Sequence, residues 1–417
     1  MQPMGTAQPL GAENDLYQTA ATPDITSPKG FTAGGVHCGI KRKRKDLGII
    51  LCDVPASAAA VYTTNVFQAP PLKVTQQSLA VEGKLQAFLC NSGNANACTG
   101  EQGLLDAFRM RAETAACFGL EEHRVGVVST GVIGELLPMD RISQGISHLA
   151  IQTGKEGHED FCRSILTTDT CIKAAEVSVV IDGKTVRIAG AAKGSGMIHP
   201  HMATMLAFVT TDAVIEPPVL QQLLREVTDE TYNMITVDGD CSTNDMVVSM
   251  ASGLAGHAPL TPEHPDWAAF RAGFAHVSRE LAKMIARDGE GATKLVEVKV
   301  TGAPDVVTAK QAAKAVVGSS LVKTAVFGAD TNWGRIFCAL GYSSPLIDPE
   351  HVDLAVGPVQ LVKDSQSTGV DEALARRYLE EEHVRFHVHL NQGEAEATAW
   401  GCDLTYDYVQ INASYRT

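Results

Sequence analysis

The sequence predicts an α/β fold, because short segments of strand character and longer segments of helix character are mixed along the chain. Residues 86–90 and 125–129 are apolar runs of strand length. Residues 102–117, 217–230 and 267–285 carry apolar side chains at helical spacing. Strands and helices combined in this way are expected to pack as layers around a shared core.

The composition is that of a soluble globular protein. Hydrophobic residues make up 45% and charged residues 20% of the 417 residues. The 34 basic and 48 acidic residues give a net charge of −14, whereas a nucleic-acid surface needs clustered positive charge, so no nucleic-acid partner is expected. No apolar run approaches the ~20 residues that a membrane span needs, so no membrane partner is expected either.

The cysteine pattern and the N-terminal segment indicate a cytoplasmic protein. The ten cysteines include no Cys-x-x-Cys pair, which favours reduced thiols over disulfides or a zinc knuckle. The first thirty residues contain neither a hydrophobic signal segment nor an arginine. Residues 1–29 are rich in Pro, Gly, Thr and Ala without periodicity, and we expect a loose leader there.

A run of five basic residues, KRKRK at 41–45, lies between predicted strands at 31–40 and 47–54. Such a run can be a nuclear signal or a site for polyanions. Beside the acidic total, a solvated hairpin tip is the favoured interpretation.

The most informative stretch is KGSGMIHPHMATMLAFVTTDA at 193–213, which follows a predicted hairpin formed by residues 176–181 and 186–189. Its apolar run places Thr204 at the junction between a tight loop and a strand. Spacing alone favours a β-branched residue that starts a buried strand. The alternative is a nucleophile: a cut just before Thr204 would create an α-amino group, of ordinary pKa about 7.7–8.0, that can activate the hydroxyl.

Other polar residues in predicted loops have structural interpretations when the sequence is taken alone. Thr130 and Gly131 follow a strand and can offer two donors to an oxyanion, but a simple turn is favoured. Thr167 belongs to a threonine-rich segment that is typical of helix caps and turns. Glu290, between two glycines, is consistent with an exposed loop.

Two clusters resemble metal sites only superficially. Asp238, Asp240 and Asp245 fall within eight residues, but the bidentate glutamate of a calcium loop is missing, so a structural turn is predicted. The second cluster is His383, His387 and His389, and a strand with one polar face explains two of its members without a metal. We therefore expect no metal site.

Five motifs, in order, resemble those of the ornithine acetyltransferase family, also called the glutamate N-acetyltransferase family. They are TTNVFQAPP at 63–71, NSGNANACTG at 91–100, STGVIG at 129–134, KGSGMIHPHMATML at 193–206 and GADTNWGR at 328–335. Members usually have asparagine where this chain has His201, and proline where it has Thr331. The first substitution raises a question about the rate of processing.

The resemblance implies a layered α/β/β/α-type sandwich with an N-terminal-nucleophile-like arrangement. It implies self-cleavage between Ala203 and Thr204, which gives an α chain that ends at residue 203 and a β chain of residues 204–417. Thr204 is then the nucleophile, and Thr130 and Gly131 form the oxyanion hole. The residues implied in substrate binding are Thr167, Lys193, Thr204, Glu290, Asn412 and Thr417.

The activity implied is ping-pong transfer of an acetyl group from N2-acetylornithine to glutamate in arginine biosynthesis, in an α2β2 heterotetramer. The chemistry requires no metal or redox cofactor. In bifunctional members acetyl-CoA is a second donor, so it is included among the expected partners. The alternative is an autoprocessing aminopeptidase or amidohydrolase of the same fold, in which water would discharge the acyl-enzyme; an unprocessed binding protein is the more distant alternative.

Overall fold

The fold is built on two β-sheets, which a computed structural model describes for residues 16–199 and 205–414. The larger sheet has the order β1-β6-β7-β8-β9-β3-β4-β5, and β2 pairs with β3. Its strands are β1 (Gln18–Thr19), β2 (Phe31–Val36), β3 (Leu47–Tyr62), β4 (Lys84–Asn94), β5 (Val125–Val132), β6 (Lys173–Ile181), β7 (Lys184–Lys193), β8 (Leu206–Thr211) and β9 (Met246–Ala251). The pairs β4/β5 and β8/β9 are parallel, and the other pairs are antiparallel. Strands from both sides of Thr204 therefore share one sheet.

The smaller sheet is formed by the C-terminal part of the chain. Its order is β13-β12-β11-β14-β10-β15, with β10 and β14 parallel. The strands are β10 (Leu295–Ala303), β11 (Asp353–Val356), β12 (Val359–Lys363), β13 (Gln366–Ser367), β14 (His383–His389) and β15 (Ala395–Cys402).

Helices cover both sheets. They are α1 (Pro70–Glu82), α2 (Gly100–Phe118), α3 (Met139–Ser147), α4 (Lys155–Ile165), α5 (Pro217–Glu230), α6 (Trp267–Arg287), α7 (Val306–Gly318), α8 (Ser320–Phe327), α9 (Trp333–Ser343), α10 (Glu372–Leu379) and α11 (Tyr406–Ala413). Within the two described ranges, no helix combines the length and apolar character needed to cross a membrane.

Helix α6 joins the two sheets into one core. It contacts β6 and β7 of the larger sheet and β10 and β15 of the smaller one. Its side chains Phe270, Phe274 and Leu281 are fully buried. At about 25 cal/mol per Å², burial of such large apolar side chains is the main force that holds the layers together. The predicted α/β class with layered sheets is confirmed.

The alternation of side chains along β4 buries both faces of the larger sheet. Phe88 and Cys90 belong to the cluster that contains Phe161 of α4. Ala87 and Leu89 face the opposite way and belong to the cluster that contains Met110 of α2. Burial on both faces holds the ends of these strands, and the loops that follow them, in fixed positions.

The predicted loose leader is wrong for residues 16–29, which pack against the larger sheet. Strand β1 pairs with β6, and Ile25 is fully buried. The Ile25 amide donates to Nδ1 of His158 at 3.1 Å, and Ser27 Oγ donates to Glu176 Oε1 at 2.6 Å. Composition suggested disorder here, but these long-range contacts order the segment. Residues 1–15 of the predicted leader lie outside the described residues.

Candidate active site

A cavity of about 340 Å³ opens where β5 and β7 end and where β8 and β9 begin. Loops that follow α4 and α6, together with α11, complete its walls. The described residues that line it are Ala95, Thr130, Gly131, Val132, Ile133, Thr167, Thr168, Lys193, Gly196, Met197, Met205, Leu206, Ser242, Thr243, Asn244, Asp245, Glu290 and Asn412. Segments far apart in the sequence thus meet at one end of the sheet.

Six of the residues predicted for the site lie around this one cavity: Thr130, Gly131, Thr167, Lys193, Glu290 and Asn412. Three other predicted positions, Ala203, Thr204 and Thr417, lie outside the described residues, as does His201. Met205, which follows Thr204 in the chain, lines the cavity, and its carbonyl accepts a hydrogen bond from the Met246 amide at 2.9 Å.

Thr130 and Gly131 lie within strand β5, which ends at Val132 and not at residue 129 as the sequence predicts. Gly131 has a φ of 138°, and a Cβ at this position would lie 2.3 Å from the carbonyl carbon of Gly93 on β4. A side chain is therefore excluded, and glycine allows the backbone of β5 to lie this close to the backbone of β4. Thr130 and Gly131 both line the cavity, and a hydroxyl and a backbone amide are the kinds of donor that can stabilise an oxyanion.

Lys193 ends β7 and supplies a cation to the cavity. Its side chain is buried, yet within residues 16–199 and 205–414 no carboxylate forms an ion pair with its ammonium group. An ammonium in this position is suited to the carboxylate of a ligand.

The carboxylate of Asp169 connects two of the segments that bear site residues. It accepts hydrogen bonds from the amide of Gly194 at 2.7 Å and from the amide of Thr167 at 2.9 Å. Burial disfavours the charged carboxylate, but the ammonium groups of Lys173 and Lys193 outweigh this and hold the pKa of Asp169 well below its usual range. The charged form of Asp169 therefore fixes Thr167 relative to the Lys193 loop.

Lys173 extends this connection to a third segment. Its fully buried ammonium lies 2.7 Å from Asp169 Oδ1 and 2.5 Å from Asp288 Oδ2. Burial favours the neutral amine, but the two carboxylates prevail and raise the pKa of Lys173. Asp288 precedes Glu290 in the loop after α6, so one buried ionic network holds the segments that carry Thr167, Lys193 and Glu290.

Glu290 supplies an anion to the cavity, and its position is set on two sides. Its amide donates to the carbonyl of Ser195 at 2.9 Å, and Nδ2 of Asn412 donates to its Oε2 at 2.8 Å. A Cβ at Gly196 would lie 2.4 Å from the Glu290 carboxyl carbon, so only glycine allows this approach. The cavity therefore presents a cation and an anion that come from different segments.

Asp238 is a positioning residue that the sequence did not reveal. Its carboxylate accepts hydrogen bonds from the amides of Met197, at 2.6 Å, and Ile198, at 2.8 Å. Met197 has a φ of 56°, an uncommon conformation for a non-glycine residue. The predicted structural turn around Asp238 is thus part of the support of the loop that leads towards Thr204.

The segment that precedes β9 also enters the cavity, although the sequence favoured a turn without a functional role. Ser242, Thr243, Asn244 and Asp245 all line it. Nδ2 of Asn244 donates to the carbonyl of Ser129 at 2.8 Å, next to Thr130. The only sequence signal was a run of polar residues directly before a buried strand that lies parallel to β8.

Two clusters of side chains that can ligate metals lie outside the cavity lining. Asp182, His264 and Asp266 are close together at the β6–β7 turn, where Asp182 Oδ2 accepts from the amide of Ala258 and Asp266 Oδ2 accepts from the amide of Asp182. Of the predicted histidine cluster, His387 and His389 both lie within 3 Å of Thr301 Oγ1. These contacts give both clusters structural roles.

Comparisons with known proteins identify the family to which this chain belongs. Residues 32–417 match the model of the ArgJ family. The arginine biosynthesis bifunctional protein ArgJ of Geobacillus kaustophilus is 59% identical over 410 residues, which cover 98% of this chain and 100% of that protein. The protein of the same name from Halalkalibacterium halodurans is 59% identical over 397 residues, which cover 95% of this chain and 97% of that one.

Among solved structures, the ornithine acetyltransferase of Mycobacterium tuberculosis in complex with ornithine is 34% identical to this chain. The match covers 45% of this chain and 100% of that chain, with a TM-score of 0.42. The resemblance inferred from the five sequence motifs is confirmed by the family match and by the two bacterial relatives. This chain therefore belongs to the ArgJ family.

Proposed function

We propose that this chain is an ornithine acetyltransferase of arginine biosynthesis that cleaves itself between Ala203 and Thr204 and then moves an acetyl group from N2-acetylornithine to glutamate. The class of reaction is inferred from membership of the ArgJ family. The single observation that supports the site is the convergence of six predicted residues, with Met205, on one cavity.

The reaction proceeds in two transfers through Thr204. The α-amino group of Thr204 accepts the proton of its own hydroxyl, and the oxygen attacks the acetyl carbonyl of N2-acetylornithine. Thr130 and Gly131 stabilise the oxyanion that forms. The C–N bond breaks, and ornithine leaves with the proton on its α-amino group. The neutral α-amino group of glutamate then attacks the acetyl-threonine ester, and the threonine hydroxyl is restored.

One cavity can serve both amino acids because they share an α-carboxylate. The Lys193 ammonium is suited to this carboxylate, and Thr167, Asn412 and Thr417 are the other groups assigned to substrate binding. Glu290 is suited to the side-chain ammonium of ornithine. The same carboxylate repels the side chain of glutamate, so Glu290 is expected to favour the donor over the acceptor.

The proposal includes an α2β2 heterotetramer of the two cleaved chains in the cytoplasm, with acetyl-CoA as an additional donor. Pairing of β7 with β8 and of β9 with β3 supports a stable association of the two chains, since each pair joins strands from opposite sides of Thr204.

The experiment that tests the function follows the acetyl group. Purified protein is incubated with N2-acetylornithine labelled in the acetyl group, the free donor is removed, and the labelled protein is mixed with glutamate or with buffer. We expect rapid release of label as N-acetylglutamate with glutamate and slow release with buffer. Equal release as acetate in both samples would instead identify an aminopeptidase or amidohydrolase.

A further inference from the structure

The loop between β2 and β3, residues 37–46, is a compact basic surface on an acidic protein. It contains KRKRK at 41–45, whereas the whole chain has a net charge of −14. Arg42, Lys43 and Arg44 are exposed. Burial lowers the pKa of Lys41 to about 8, so residues 42–44 carry most of the exposed positive charge.

Asp46 holds this basic loop in one conformation. Its fully buried carboxylate accepts hydrogen bonds from the amides of Cys38 at 2.7 Å, Gly39 at 3.1 Å and Lys41 at 2.9 Å. A loop fixed by three such bonds presents its exposed cations with little loss of conformational entropy when a ligand binds.

The basic loop contacts two segments of the chain that adjoin the active-site cavity. Nζ of Lys41 donates to the carbonyl of Leu166 at 2.8 Å, and Nη1 of Arg44 lies 3.5 Å from the carbonyl of Thr167, a cavity residue. Lys41 also packs against Gly93 of β4, where an added Cβ would lie 2.8 Å from Lys41 Cγ. Gly93 in turn packs against Gly131. Lys41 and Arg44 therefore lie next to segments that contribute residues to the cavity.

The positive charge of this loop is only partly neutralised. Lys45 pairs with Asp160, and His37 lies 3.2 Å from Asp46. Arg42 and Lys43 form no ion pair within the part of the chain that the structure describes. Arg141, which donates to the carbonyl of Gly39 at 2.6 Å, adds another cation at the side of the loop.

We propose that the basic loop at residues 37–46 binds the phosphate groups of acetyl-CoA while its acetyl thioester enters the cavity. This inference rests on the proposed function and assigns a site to the second donor. N2-acetylornithine carries no phosphate, so it cannot form phosphate contacts with these cations. Phosphate oxygens are preferred partners of arginine and lysine side chains.

The chemistry at Thr204 is the same for both donors. The threonine oxygen attacks the thioester carbonyl, the C–S bond breaks, and the thiol of CoA leaves with the proton that the α-amino group had accepted. The acetyl-threonine ester then passes its acetyl group to glutamate. No oxidant or reductant is needed.

The test compares Arg42→Gln/Lys43→Gln with the matched control Lys155→Gln/Arg377→Gln, which removes two exposed cations outside the basic loop. Three acetyl donors are assayed with glutamate: acetyl-CoA, S-acetylpantetheine, which lacks phosphate, and N2-acetylornithine. We expect the loop variant to raise KM for acetyl-CoA about tenfold and to leave the other two donors unchanged. The control variant is expected to behave as wild type with all three.

A competition experiment gives an independent readout. Adenosine 3′,5′-bisphosphate is expected to inhibit the acetyl-CoA reaction of the wild type competitively, with about tenfold weaker inhibition in the loop variant. The proposal is overturned if the KM for acetyl-CoA is unchanged, if it rises equally for S-acetylpantetheine, or if the wild type uses N2-acetylornithine but not acetyl-CoA. Absence of activity with N2-acetylornithine in the wild type would count against the proposed function instead.

Discussion

Lys173→Met removes the central charge of the buried network that supports the active site. Methionine keeps an unbranched apolar side chain, so the change isolates the loss of the ammonium group. Lys173 is fully buried between Asp169 and Asp288, and its removal leaves two carboxylates without their shared partner. Breaking a buried ion pair in this way costs about 3–5 kcal/mol. We expect the lower end, about 3 kcal/mol, because backbone amides still donate to both carboxylates.

The assay is urea denaturation of wild type, Lys173→Met and the control Lys155→Met. Lys155 has a side chain that is 88% exposed and lies 3.7 Å from Glu159, so the control should lose less than about 1 kcal/mol. A second variant, Asp169→Asn/Lys173→Met/Asp288→Asn, removes all three charges and should be more stable than Lys173→Met. Equal urea midpoints for Lys173→Met and Lys155→Met would refute the role assigned to this network.

The same network predicts how stability depends on pH. The pKa of Asp169 is lowered in the folded protein, so its contribution is complete above the ordinary aspartate value of about 3.9 and is lost as pH falls below it. The pKa of Lys173 is raised, so its contribution is complete below about 10.4 and is lost as pH rises through the folded value. The difference in unfolding free energy between wild type and Lys173→Met should be constant from about pH 5 to 9 and smaller in acid. A difference that grows as pH falls from 5 to 3 would contradict this reasoning.

Three further substitutions test the cavity. Thr130→Ala removes one oxyanion donor and should slow single-turnover acetylation about 10²–10³-fold, while Thr130→Ser keeps most of the rate; equal rates for the two would exclude a role for the hydroxyl. Lys193→Met should raise KM for both N2-acetylornithine and glutamate by about tenfold or more in steady-state assays, and an effect on only one of them would argue against a shared carboxylate site. Glu290→Gln should raise KM for N2-acetylornithine about tenfold and lower or preserve KM for glutamate; the reverse pattern would overturn the assignment of Glu290 to the ornithine ammonium.

Local patterns predicted several elements well. Helix α5 (Pro217–Glu230) has the predicted bounds, because proline near its start and a clear apolar face define it locally. The β6–β7 hairpin was also predicted, with Asp182 and Gly183 at positive φ in a two-residue turn. In contrast, β3 was predicted to end at Val54 but continues to Tyr62. A register shift between Leu51 and Ala56, next to Pro55, separates the part of β3 that pairs with β2 from the part that pairs with β9, and no local pattern reveals such a change of partner.

Residues of the candidate site were predictable where they lie together in one short sequence motif. Thr130 with Gly131, and Lys193 with the loop after it, are of this kind. Lys173, Asp238 and Asp245 were not assigned to the site, because their roles depend on partners that the fold brings from distant segments. Lys173, for example, pairs with Asp288, which lies 115 residues farther along the chain. Long-range hydrogen bonds and ion pairs therefore account for what sequence patterns left out.

The central claim is that cleavage makes Thr204 an amino-terminal residue and that its hydroxyl then carries the acetyl group. Mass spectrometry of the denatured, active protein tests it most directly, before and after incubation with N2-acetylornithine. We expect two chains, residues 1–203 and 204–417, and one added acetyl group on the second chain alone, whereas Thr204→Ala should remain a single unacetylated chain. An unbroken chain in a fully active preparation, or an acetyl group on residues 1–203, would show that this claim is wrong.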